Sequence, residues 1–365
     1  MKVGIFTFPN SVSYGATLQM YALYDAVNRM GHDAEIINYH NAYMKAEKHR
    51  ESSKDAAPIK SFAKKTMRTL IHFRLYCSFR RFEKENMKLY PLKPFTEKQK
   101  LPDIGNRYNA VICGSDQIWN PDITDTDLSY FLDFCGKNTR RISYAPSFGI
   151  DKFSDDFSKL IEKELAEFHA LSVREKPGQD FICKLLGKEA SLVADPTFLV
   201  SSDQWTKLER KHSAANGEYI LYYTIRRSDN LLRHCMEFSS KTGLKVVIVG
   251  GNYLKVIRNR NPLVEYAIDI GPDEWLYLLH NARYIFTNSF HGTAFSINYN
   301  KDFFVEFSSL TNSRLEQIIG ALKLENRIVK TDNELSVEPI DYTSVEKYLS
   351  ELRKSSEQFL NTALR

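Results

Sequence analysis

Four strand-to-helix corners hold the side chains best able to do chemistry in this chain of 365 residues. One is "TNSFHG", residues 287–292, where His291 follows an apolar strand and precedes a helix. A lone histidine on a helix face usually packs. One at the mouth of a sheet, beside Asn288, Ser289 and a glycine that permits close backbone approach, is better placed to carry a proton. Arg174 ends the strand "LSVRE" next to Glu175 and Lys176. Its guanidinium suits a surface ion pair or two-point binding of an anion, and the sequence leaves both open. The third corner is "GSDQIWNP", residues 114–121, in which Asp116 fits a helix cap or turn as well as a binding role. The fourth runs from Asn10 to Gly15. Cys113, inside an apolar strand before Gly114, reads as core filler.

Corners of this kind matter because, in open parallel sheets, ligands sit beyond the carboxyl ends of the strands. Helices that follow offer backbone N–H groups and a positive dipole end, which suits an anion. No Gly-x-Gly-x-x-Gly follows the first strand and no Walker-type lysine loop occurs, so nicotinamide and nucleoside-triphosphate chemistry lose support. No His-Glu-x-x-His, no Gly-x-Ser-x-Gly elbow and no His/Cys cluster at ligand spacing appears. No metal or resident cofactor is expected. Asp125-Thr126-Asp127 spells the acidic-x-acidic pattern of metal-dependent sugar transferases, but a pattern this short in a proline-bearing loop is common by chance.

The elements that must position these corners alternate along the chain. "KVGIFTF" is a strand, "ATLQMYALYDAVNRM" a helix with Ala16, Met20, Leu23, Val27 and Met30 on one face, and "AEIINY" the next strand. The alternation resumes with strands at 109–114, 141–147, 171–175 and 191–196, and helices near 157–169 and 177–187. A second series follows: strands at 219–225, 245–251, 283–288 and 302–307, with helices at 230–241, at 273–280 and from Gly292. Two α/β lobes with parallel sheets follow from this pattern. We expect a first lobe at 1–206 with a basic helical insertion at about 45–100, a second lobe at 207–335, and a helical tail at 336–365 packing back across them.

Composition allows this. At 43% hydrophobic and 26% charged residues the chain is neither disordered nor low in complexity. Five scattered cysteines without Cys-x-x-Cys spacing read as reduced thiols in a cytoplasmic protein. "MKVGIFTFPN" is too brief for a secretory signal, and no apolar stretch reaches spanning length. The net charge of +5 is uneven: residues 45–100 hold 16 Lys or Arg against 6 Asp or Glu, so the remainder is net negative. Within that segment Ala63, Met67, Ile71, Leu75, Phe79 and Phe82 recur at helical spacing, with Lys64, Lys65, Arg68, Arg80, Arg81 and Lys84 elsewhere around the helix. A packed helix with a solvated cationic face is the plainer reading; docking on an anionic membrane or glycan is the alternative.

"GIFTFPNSVSYGATLQMYAL", "YNAVICGSDQIWNP", "ISYAPSFG", "SVREKPG", "LVADPTFL", "TNSFHGTAFSI" and "NSRLEQIIGAL", in this order, resemble the polysaccharide pyruvyl transferase family over residues 1 to about 330. The resemblance implies two facing Rossmann-like lobes in a GT-B-like arrangement with a cleft between them. It implies transfer of pyruvate from phosphoenolpyruvate, a co-substrate, onto a sugar of a capsule, exopolysaccharide or cell-wall glycan as a ketal. It further implies His291 as the catalytic group and Arg174 on the donor. Some members carry Arg where this chain has Ser289, so Arg314 or Arg226 would supply the missing donor contact, Arg314 being the better placed at the start of a helix. Asn10, Tyr14, Gly15, Ser115, Asp116 and Gln117 would meet the acceptor, with Trp119 either stacked on a sugar or buried.

Two other readings remain: a GT-B glycosyltransferase using a nucleotide sugar, separable by the mass gained on the acceptor, and a non-catalytic binder of anionic glycan or membrane. The binder predicts salt-sensitive binding that survives His291→Ala. Nucleic acid is not an expected partner. A lipid-linked acceptor would give the basic segment a peripheral role at the inner membrane, which failure to pellet with anionic liposomes would remove.

Overall fold

The computed structural model describes residues 1–41, 62–250, 261–307, 313–331 and 334–365, with side chains from 69 onward in the helix that begins at Phe62. The lysine-rich stretch 42–61, the side chains of Ala63, Lys64, Lys65, Met67 and Arg68, Gly251, and Thr311 and Asn312 lie outside the described residues. The chain sorts into two compact units: residues 1–60, 83–200 and 349–365 in the first, and 61–82 with 201–348 in the second.

In the first unit β1 (Lys2–Phe6), β2 (Asp33–Tyr39), β3 (Leu89–Phe95), β4 (Ala110–Cys113) and β5 (Arg140–Ser143) form one sheet in the order β3-β2-β1-β4-β5. Every pairing in it is parallel. Its central strands are apolar throughout because helices cover both faces; all four residues of β4 are buried. Helix α1 (Tyr14–Arg29) crosses from β1 to β2, capped by Ser13, whose hydroxyl accepts from the Ala16 N–H. Phe6, Tyr39, Trp119, Phe131 and Phe148 are among the core residues. The short pair β6 (Ser172–Val173) and β7 (Ser191–Leu192) is also parallel.

The second unit repeats the plan. β8 (Tyr219–Tyr223), β9 (Lys245–Val249), β10 (Val264–Ala267), β11 (Tyr284–Thr287) and β12 (Asp302–Val305) form a sheet in the order β10-β9-β8-β11-β12, again parallel. Ile220, Leu231, Phe238, Val246, Phe286 and Phe304 fill its core.

Two helices contribute to both units. Helix α2 (Phe62–Asn86) sorts with the second unit through Phe82 and with the first from Glu83. It is held in the second unit by Arg81 on Asp273 (2.6 Å) and Arg74 on Asp269 (3.0 Å). Its burial departs from a single apolar stripe: Phe79 and Phe82 are buried, while Leu70, Phe73 and Tyr76 are exposed. The final helix, Tyr342–Ala363, sorts with the second unit through Tyr348 and with the first from Leu349. Val345, Leu349 and Leu360 of the expected apolar face are buried, and Leu352 is half-buried.

These topologies fix where chemistry can occur. In each sheet the chain crosses outward in opposite directions from two adjacent central strands, β1 and β4 in the first, β8 and β11 in the second. A crevice opens beyond the carboxyl ends of such a pair. The corners at Asn10 and Ser115 lie at the first switch point, and those at Arg226 and His291 at the second.

Candidate active site

At the second switch point β11 ends at Thr287 and helix α7 (Phe290–Asn298) starts three residues later. Ser289 caps it, its hydroxyl accepting from the Gly292 N–H at 3.2 Å. That explains a serine at this position: an arginine side chain carries no acceptor for the cap. Asn288 fastens the neighbouring corner, its Oδ1 accepting from the Ile225 N–H (3.0 Å) and its amide donating to the Arg226 carbonyl (2.8 Å). Gly292 is required by close approach, since a Cβ there would collide with the Thr287 hydroxyl and press on the Tyr223 ring. Burial pushes the Tyr223 phenol up to about 12, a hydrogen bond with Ser289 drawing it partly back, so it stays protonated near neutral pH.

His291 stands on the first turn of α7, 8% exposed, edge-on to Phe290 with ring centroids 5.2 Å apart. On the other side of this arrangement the Arg314 guanidinium lies 5.6 Å from the centre of the same Phe290 ring. Arg314 opens the helix Ser313–Ala321. Imidazole, phenyl ring and guanidinium thus stand in one row at the switch point, and Phe290 serves as the spacer. Arg226 is exposed at the end of the β8 corner. A proton carrier, a helix N-terminus and two arginines therefore belong to one unit.

The first switch point is built differently. Asn10, in a left-handed conformation (φ 60°), is buried, donates to the Asn38 side chain (2.6 Å) and is held through its backbone N–H by Glu83 (2.9 Å). Tyr14 is half-buried and Gly15 buried at the start of α1. Ser115 is fully buried: its N–H donates to the Gln19 side chain (3.1 Å), its hydroxyl to the Ala145 carbonyl (3.0 Å), and its carbonyl accepts from Thr7 (3.2 Å). Asp116 follows at φ 74° and accepts the Gln117 N–H (2.9 Å). Gln117 in turn accepts from Asn120 (2.7 Å). Gln19 carried a signal in the sequence, lying three residues after Ala16 and four before Leu23 on the apolar face of α1, where a polar residue needs a buried partner.

Arg174 departs from the picture of a fork open to an anion. Its side chain is 2% exposed and binds Asp195 at 2.6 Å, with Asp116 at 3.5 Å and Glu175 at 3.7 Å. Burial alone would lower its pKa, but the attraction of the three carboxylates outweighs that and raises it. Parallel pairing of Val173 with Leu192 brings Arg174 beside the end of β7, where Asp195 also caps the turn Pro196–Leu199 through the Thr197 N–H and hydroxyl.

Trp119 is buried, stacked on Phe131 at 5.2 Å and donating its indole N–H to the Tyr130 carbonyl, so it is core. Asp127 of the acidic pattern is committed to Tyr39, Asn41, the Ser129 N–H and Lys98. Among the described residues no three His, Cys, Asp or Glu side chains are grouped to hold a metal ion.

The sequence pattern of the polysaccharide pyruvyl transferases matches residues 14–305, which include both switch points. The chain belongs to the polysaccharide pyruvyl transferase family. No protein of curated function matches its sequence. Among solved structures, this pyruvyl transferase family member is similar to the UDP-GlcNAc 2-epimerase of Methanocaldococcus jannaschii, at TM-score 0.52 and 10% identity over 96% of this chain and 92% of that one. It is also similar to the UDP-GlcNAc 2-epimerase of Neisseria meningitidis bound to UDP-GlcNAc, at TM-score 0.51 and 12% identity over 100% and 94%. At such identities the likeness is one of fold. Among the described residues no helix is long and apolar enough to cross a membrane.

Proposed function

We propose that this family member transfers pyruvate from phosphoenolpyruvate onto two hydroxyls of a sugar destined for a bacterial surface polysaccharide, closing a ketal and releasing phosphate. The observation that carries the reading is the row His291, Phe290, Arg314 at the capped start of α7, in a chain of this family. Phosphoenolpyruvate carries a carboxylate and a phosphate on three carbons. It asks for fixed cations and a helix N-terminus, and Arg314, Arg226 and α7 offer both.

The reaction also needs a proton. The enol methylene takes one, and the first sugar hydroxyl bonds to the adjacent carbon as its own proton departs. Phosphate then leaves with the electron pair of its carbon–oxygen bond, and the second hydroxyl closes the ring and gives up its proton. Imidazole is the side chain suited to deliver the first proton near neutral pH, and His291 supplies it. Guanidinium and helix N–H groups steady the departing phosphate without reorganising.

The test is to incubate the protein with phosphoenolpyruvate and lipid-linked or nucleotide-linked sugars. Mass gain of one pyruvate ketal with release of phosphate supports the reading. A hexose transferred from a nucleotide sugar would replace it with a glycosyltransferase. Given turnover, Arg314→Ala is expected to raise the KM for phosphoenolpyruvate about tenfold or more, the loss of one charge-assisted contact. An unchanged KM would take Arg314 out of the donor site.

A further inference from the structure

We propose that Arg174 is a positioning residue for the acceptor rather than a donor contact, and that it aims the Asp116 carboxylate at a hydroxyl of the incoming sugar. The inference rests on the acceptor reading of the first switch point.

Three carboxylates surround one guanidinium there. Of the three, Asp116 is 18% exposed, while Glu175 and Asp195 are 4% and 1% exposed. An anion approaching this corner meets Asp116 first and is repelled. To reach the guanidinium it must displace Asp195, leaving a buried carboxylate without its partner, which is strongly unfavourable. Phosphoenolpyruvate has no such obstacle at Arg314. The Arg174 Nη1 that binds Asp195 also reaches the Ser115 hydroxyl at 3.5 Å, and Nη2 reaches Asp116. The side chain therefore ties the end of β7 to the corner after β4. A carboxylate held at a switch point by such a brace is a hydrogen-bond acceptor of fixed direction, suited to a neutral sugar hydroxyl.

Arg174→Met would leave three carboxylates facing one another and endanger folding, so the test pairs it with Asp195→Asn, removing one charge of each sign. Three readouts decide. Amide exchange at residues 115–117 is expected to rise at least tenfold while that at 288–293 stays as in the native protein. The calorimetric Kd for phosphoenolpyruvate is expected to stay within about twofold, whereas kcat/KM for the acceptor falls about thirtyfold or more, the scale of a misplaced reacting group. Adding Asp116→Asn to the pair is expected to cost little further, since the two changes remove the same function.

A tenfold weaker Kd for phosphoenolpyruvate would place Arg174 on the donor and overturn the proposal, as would unchanged exchange at 115–117. If the double variant fails to fold, Asp116→Asn alone decides: a weakened donor rather than acceptor constant would overturn it. Should the native protein bind no phosphoenolpyruvate and release no phosphate, the proposed function falls; the exchange experiment still settles the brace.

Discussion

Turnover with phosphoenolpyruvate is expected to drop by about a hundredfold or more in His291→Ala, the usual worth of a positioned general acid. The group sits on the first turn of α7, whose cap, Ser289, and whose neighbour Asn288 hold the corner through backbone bonds that do not involve the imidazole. Removing the ring should therefore spare the fold, apart from the space left by a side chain that is 8% exposed. His291→Asn keeps more of that volume and a hydrogen-bonding atom but no transferable proton. The two variants are expected to lose kcat alike and to bind phosphoenolpyruvate within a few-fold of the native protein. Phosphate release, acceptor mass and thermal unfolding together make the measurement. Near-native turnover in either variant removes His291 from the chemistry, and a lost thermal transition would show a packing residue instead.

His291 and Arg174 illustrate what a sequence can and cannot disclose. His291 was legible because its evidence is local: strand, polar corner, cap and glycine lie within six residues. Arg174 was only half legible. Its corner was visible, but Asp195 lies 21 residues further on and meets it through the pairing of β6 with β7. No local pattern announces a carboxylate that arrives by strand pairing. Arg314 was similarly ambiguous until its contact with Phe290 placed it.

The same distinction holds for the fold. The alternating apolar runs disclosed eight of the strands after β2 and β1 by periodicity and burial, because strands covered on both faces are apolar nearly throughout. Strand β3 was hidden by Pro91 and Pro94, which argue against a strand; it lies at the sheet edge, where missing N–H donors are tolerated. Helix α2 was legible as a helix, but not as one that leaves Leu70, Phe73 and Tyr76 exposed while Phe79 and Phe82 pack. Which side of a helix finds a partner depends on the element that reaches it, and here Asp269 and Asp273, about two hundred residues away, decide.

Gly114→Ala is expected to have the largest effect on folding. Gly114 ends β4 with φ 146°, a conformation that strains any other residue, and an added Cβ would run into the Tyr144 carbonyl oxygen. Neither partner has room to yield. The Tyr144 N–H donates to the Cys113 carbonyl at 2.9 Å and the Gly114 N–H to the Phe6 carbonyl at 3.1 Å, so both backbones are fastened to the sheet beside the point of collision. Backbone strain of about 1–3 kcal/mol adds to a clash of similar size, giving a loss of about 3 kcal/mol or more. That corresponds to a fall in Tm of roughly 6–12 °C for a unit of this size. Gly31→Ala is the control: it too has positive φ (83°), but nothing lies within 4 Å of an added Cβ, so it carries strain without collision. A fall for Gly114→Ala no greater than for Gly31→Ala would show that the corner gives way easily, and would weaken the case that β4 delivers Ser115 and Asp116 to a fixed place.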